Sequence, residues 1–161
     1  MKSGGDESVK EDLGSGARLI IPALGPLYRG LGKYAYAFVR FSTGAVLVPH
    51  GVQKTLFVSI NKFAENISAK GLPTPVAFAY LTFFTELVAA ACLSLGLFTR
   101  VAAVMIWIEM AIIITMFNGQ FGYFWTKGGI EYALLWLLLC TAIFFRGGGR
   151  YSLDRLIGKE F

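Results

Sequence analysis

Long apolar stretches alternate with short polar connections along this chain, and the stretches are of helical length. A membrane-spanning helix needs about 20 mainly apolar residues. The clearest candidate, 76–98, holds Glu86 as its only charge, and the next, 101–123, holds only Glu109. Another, 129–145, has Glu131 at its start and is ended by Gly147, Gly148, Gly149 and Arg150. The first in chain order, 34–57, is the least uniform, because Arg40, His50 and Lys54 interrupt it. Leu72–Pro75 opens the second of these helices, and Thr99 and Arg100 make a short turn into the third. Residues 1–16 are polar and of mixed charge, which reads as a disordered tail rather than a secretory signal. The apolar run Leu19–Leu27 is broken by Pro22, Gly25 and Pro26 and is too short to span, so 17–33 reads as an interfacial segment. The pattern predicts an all-α protein, an antiparallel four-helix transmembrane bundle over 34–147 with a polar tail at 148–161.

A soluble helical bundle would show a polar face at the 3.6-residue period. Residues 101–117 have none, since Glu109 and Thr115 are their only clearly polar members. Composition agrees: 55% of the 161 residues are hydrophobic and 16% charged, against about a quarter charged in soluble domains.

Charge then sets an orientation. Lys2, Lys10, Arg18, Arg29, Lys33, Arg100, Arg146, Arg150, Arg155 and Lys159 share one side of a four-span topology; Lys62, Lys70 and Lys127, with Lys54 at the margin, occupy the other. Cytoplasmic loops carry the Lys/Arg excess, so both termini are expected in the cytoplasm. This distribution flanks a membrane and forms no clustered nucleic-acid face. Cys92 and Cys140 lie in apolar runs without metal or redox spacing, and read as packing residues. No metal site is expected.

Ionisable residues inside apolar helices are costly, about 2.5–3.5 kcal/mol each on insertion scales, and point to function. Arg40, Gly44, Val48, Gly51 and Lys54 share one face of the first helix, with the glycines allowing a close helix approach. Pro49 predicts a kink beside His50. On the third helix Ala102, Met105, Glu109, Ile112 and Met116 form a stripe that turns Glu109 inward. Depth along the helices suggests an inner cluster of Arg40, Glu86 and Glu109, and an outer one of His50, Lys54, Asn118 and Glu131. These seven residues are the candidate polar pocket. Each also admits a plain reading: Arg40 as a snorkelling side chain, Lys54 and Glu131 as interfacial charges, Glu109 as a carboxyl neutralised by burial, His50 as a hydrogen bond to a neighbouring helix, or any one of them as part of an internal pair that fixes packing. The aromatic loop Asn118–Trp125 reads as an interfacial belt, or as a lid on the outer cluster.

An arginine opening the first helix, His50–Lys54 (HGVQK), Glu86 followed by Leu95–Arg100 (LGLFTR), Gly128–Leu135 (GGIEYALL) and Arg146–Asp154 (RGGGRYSLD) together resemble the DoxX family of small four-helix membrane proteins. The resemblance covers about residues 33–156. It implies an antiparallel four-helix bundle in a bacterial inner membrane, with Arg40, His50, Lys54, Glu86 and Glu131 at recurring polar positions. Family members include small subunits of archaeal thiosulfate:quinone oxidoreductases and proteins linked to oxidative-stress complexes. The chain carries no evident cofactor motif, and whether it is an enzyme stays open. The leading expectation is a quinone-interacting accessory or subunit of a membrane redox system, with the bilayer, a quinone, a redox partner protein and a second copy of itself as partners. A non-catalytic structural or assembly subunit is the alternative. A small-solute pathway ranks lower, because four helices without repeats do not suit alternating access.

Overall fold

A computed structural model describes residues 19–160, so the expected disordered tail at 1–16, residues 17–18 and Phe161 lie outside the described residues. Among those described, the chain is all-helical, without strands.

Helix α1 (Gly25–Ala45) follows a tight turn at Pro22–Leu24 and carries Pro26 in its first turn, where a missing N–H costs nothing. The expected boundary at 34 is therefore not a break: 25–33 form the opening turns of α1, because Gly30 and Gly32 weaken a helix without stopping it. Residues 26–35 are exposed throughout. The chain breaks at Val46 and Leu47, and α2 (Val48–Phe57) begins with Pro49 in its first turn. The kink expected inside one helix is thus a boundary between two, since Pro49 lacks the N–H that a continuous helix would send to Ala45. Helix α3 (Ile60–Ser68) falls in the connection between the expected first and second spans; Phe63, Ala64 and Ile67 give it one inward face.

Helix α4 (Pro75–Leu95) and helix α5 (Thr99–Phe121) are, among the described residues, the two long and apolar enough to cross a membrane by length and composition. Only 33% of the apolar window in α4 and 28% of that in α5 are buried, so most of this apolar surface faces outward, unlike a soluble core helix. Each contains a widened π turn, Thr85–Ala89 in α4 and Ile113–Asn118 in α5. Helix α6 (Glu131–Arg146) has 16 residues and falls short on length, and α1 carries Arg29, Lys33 and Arg40. A short α7 (Leu153–Ile157) closes the fold.

α6 packs along α5, α1 along the second half of α4, and α3 along its first half. Small side chains make these approaches possible. A β-carbon at Gly44 would collide with the Ala90 carbonyl and Ser94, and one at Gly51 would lie 2.7 Å from the Glu86–Leu87 backbone. Leu93, Ala103, Ile106, Cys140 and Ile143 centre the core, so Cys140 packs as expected; Cys92 borders it.

One end of the bundle is held by hydrogen bonds instead of apolar packing. The α4–α5 turn places Gly96 at φ +70° and Phe98 at φ +47°, a left-handed conformation that a residue with a β-carbon adopts only under strain. The buried Asp154 carboxylate accepts from Phe98 N–H (2.7 Å), Thr99 N–H (2.9 Å) and Thr99 Oγ1–H (2.7 Å), and its own N–H donates to Gly96 O (2.9 Å). It thereby caps α5 and fastens α7 beneath the turn.

Candidate functional site: a cavity between α3, α4 and α5

Toward the opposite end, where each of α4 and α5 carries its π turn, the space between α3, α4 and α5 is not filled by side chains. The result is a half-open cavity of about 360 Å³, within the range of small-molecule sites. Its wall is mostly apolar: Phe63 and Ile67 from α3, Phe78 and Leu81 from α4, Met105, Ile108, Ile112 and Phe117 from α5. Lys54, Thr82, Thr85, Glu109 and Asn118 supply the polar groups. Leu81 and Ile108 are also about half exposed on the outer surface, so the mouth opens sideways between helices.

Lys54 Nζ donates to Glu86 Oε1, an ion pair whose carboxylate lies in the π turn of α4. Gly51, one turn before Lys54, sits against the same backbone and brings α2 close enough for it. Lys54 also lies 5.4 Å from the centre of the Phe63 ring, a cation–π contact on the cavity wall. Glu109 is 8% exposed, and neither of its carboxylate oxygens has a hydrogen-bond partner among the described residues. The second oxygen of Glu86 is likewise unpartnered. Native proteins rarely leave buried polar atoms unmatched, so a carboxyl aimed into an apolar cavity marks a place that a ligand, a proton or water completes.

Of the seven pocket residues expected, Lys54, Glu109 and Asn118 line the cavity and Glu86 joins them through its pair with Lys54, with Asn118 Nδ2 also donating to Gly129 O at 3.3 Å. The other three do not join them. Arg40 is buried on α1 but pairs with neither carboxylate; its guanidinium donates to Leu93 O (2.6 Å), Ser94 O (2.7 Å) and Tyr151 O (2.6 Å). Leu93 and Ser94 lie in the final turn of α4, whose carbonyl end attracts a cation. His50 is exposed. Glu131 accepts from Trp125 N–H at 3.2 Å and so fastens the aromatic loop to the start of α6. Phe121, Tyr123, Phe124 and Trp125 of that loop are all more than half exposed, and of the loop only its first residue, Asn118, reaches the cavity, beside Phe117 near the end of α5. Sequence reasoning missed Thr82, Thr85 and Phe63. Hydroxyls and rings in apolar helices give no depth signal, although the spacing Ile60, Phe63, Ala64, Ile67 would have revealed α3.

Comparison with known proteins decides the family. The DoxX family model matches residues 35–119, more than half of the chain. The chain belongs to the DoxX family. Two relatives of this membrane protein extend the match: an uncharacterized membrane protein of Mycobacterium tuberculosis, 31% identical over 86% of this chain and 91% of the relative, and an uncharacterized protein of Haemophilus influenzae, 32% identical over 79% and 93%. No solved structure matches. The family match ends at 119, before α6 and the Asp154 staple, yet it takes in every helix that lines the cavity.

Proposed function

We propose that this DoxX protein binds an amphipathic quinone in the α3–α4–α5 cavity and serves as an accessory or subunit of a membrane redox system. The observation that carries the reading is Glu109: a buried carboxyl with two unpartnered oxygens, facing an apolar space beside the Lys54–Glu86 pair. A quinone supplies two-electron, two-proton redox chemistry. The residues present suit its headgroup: Lys54 can donate to a carbonyl oxygen, Glu109 can hold or release a proton at a ring oxygen, and Phe63, Phe78 and Phe117 can flank a ring. An isoprenoid tail would leave past Leu81 and Ile108 into the surrounding lipid. In the alternative reading, a structural or assembly subunit, the partly buried Lys54–Glu86 pair serves only to fix α2 against α4.

Gentle purification followed by organic extraction and mass spectrometry tests this. Quinone is expected near one per protein, falling about tenfold or more in Ile112→Trp, which fills the cavity while leaving Lys54 and Glu86 in place. Phospholipid alone in the wild-type extract would favour the structural alternative.

The same reading includes a topology. The broken α1–α2 pair, α4, α5 and α6 form four antiparallel spans in a bacterial inner membrane, with both termini in the cytoplasm where the Lys/Arg excess lies. In a Cys92→Ala/Cys140→Ala background, Ser68→Cys is expected to react with an impermeant maleimide on intact cells, and Lys159→Cys only after the membrane is opened. The reverse labelling pattern would invert the orientation.

A further inference from the structure

At the Asp154 end, remote from the quinone cavity, α6 runs out at Gly147 and the chain doubles back through Gly147–Gly149 into α7. The fold leaves an open cleft of about 460 Å³ there, lined by Arg146, Arg150, Arg155 and Lys159 together with Asp154 and Glu160. Asp154 is committed to Phe98 and Thr99, which leaves Glu160 as the one acidic group facing four cations among the described lining residues. Gly148 N–H donates to the Glu160 carboxylate at 2.5 Å, so the backbone of the glycine turn already cradles an anion supplied by the chain itself. Gly147 and Gly149 stand at φ +75° and +73°, and this left-handed backbone lets the turn wrap the carboxylate. Around this basic cleft the side chains are apolar and outward-facing: Phe145 is 77% exposed, Leu156 82% and Ile157 60%.

We propose that the cleft binds the phosphate of an anionic phospholipid headgroup, with Arg150, Arg155 and Lys159 as its principal cations. Cations ringed by exposed apolar side chains fit one environment well: the apolar groups enter the acyl boundary while the charges stay at phosphate depth. A soluble polyanion would meet the charges but leave Phe145, Leu156 and Ile157 in water. Glu160 acts as a tethered competitor that a lipid phosphate displaces from Gly148 N–H.

The full chain in neutral-detergent micelles, titrated with phosphatidylglycerol and followed by native mass spectrometry and thermal unfolding, tests this. Phosphatidylglycerol is expected to be retained and to raise the unfolding temperature, whereas phosphatidylcholine and inorganic phosphate do neither. The Arg150→Gln/Arg155→Gln/Lys159→Gln variant should bind at least about tenfold more weakly, since each basic residue at a membrane surface contributes separately. All three side chains are exposed, so its unfolding temperature in phosphatidylcholine should match wild type. Glu160→Gln should bind more tightly. A charge-matched control, Lys62→Gln/Lys70→Gln/Lys127→Gln, should bind as wild type does. Equal losses in the two triple variants would reduce the effect to net charge and overturn the site, as would unchanged retention in the first. Stabilisation by inorganic phosphate equal to that by phosphatidylglycerol would overturn the lipid assignment.

Discussion

Lys54→Met is expected to lower the unfolding free energy in mixed micelles by about 3–5 kcal/mol, the usual effect of stranding one member of a buried ion pair. The Glu86 side chain is 4% exposed and its second oxygen already lacks a partner, so the carboxylate left behind has no solvent to turn to. Combining Lys54→Met with Glu86→Gln should then cost much less than the sum of the two single losses, because the stranded charge goes with its partner. Arg40→Ala provides the contrast. It removes three bonds to main-chain carbonyls and touches no carboxylate, so its loss should add to that of Glu86→Gln or of Glu109→Gln. A non-additive Arg40–Glu86 cycle, or an additive Lys54–Glu86 one, would refute the pairing.

Asp154→Ala should have an effect of similar size at the other end of the bundle. Three donors lose a charged acceptor at once, and two are backbone N–H groups next to a Thr99 that is wholly buried. Hydrogen bonds to charged groups contribute about 1.5–3 kcal/mol each, so a loss on the order of 3 kcal/mol or more is expected in the same unfolding measurement. Asp154→Asn keeps one acceptor oxygen but sets an NH₂ against a donor, and should fall between wild type and alanine. Equal stability of the alanine and wild-type proteins would mean that the cap does not hold the turn.

How much of this was legible beforehand depended on the range of the interaction. Helices 76–98 and 101–123 correspond closely to Pro75–Leu95 and Thr99–Phe121, because an uninterrupted apolar run is a local signal. The face joining Arg40, Gly44, Gly51 and Lys54 is turned toward α4, since spacing fixes which residues share a side. Partner choice was not legible. Arg40 and Glu86 looked like natural complements by charge and depth, yet Arg40 donates to main-chain carbonyls at the end of α4 and at Tyr151, and the long stem of Lys54 reaches Glu86 instead. Two other features lay beyond reach for related reasons. Neither π turn leaves a hydropathy mark, and α3 was overlooked because a window sized for membrane spans averages away nine residues. RGGGRYSLD was recognisable as a motif, but nothing within it reveals that its aspartate serves a turn 55 residues upstream.

That separation has a consequence for the order in which the molecule is made. A ribosome releases Phe98 and Thr99 long before it reaches Asp154, so an α4–α5 hairpin formed during synthesis has its strained corner uncapped. The corner acquires its carboxylate only when α6 is in place and the chain has turned back through the glycines. Until then the hairpin is the less stable, more easily reopened form, and the arrival of Asp154 latches it. The last secondary-structure element among the described residues to be synthesised, five residues long, is thus the one that makes an earlier step hard to reverse.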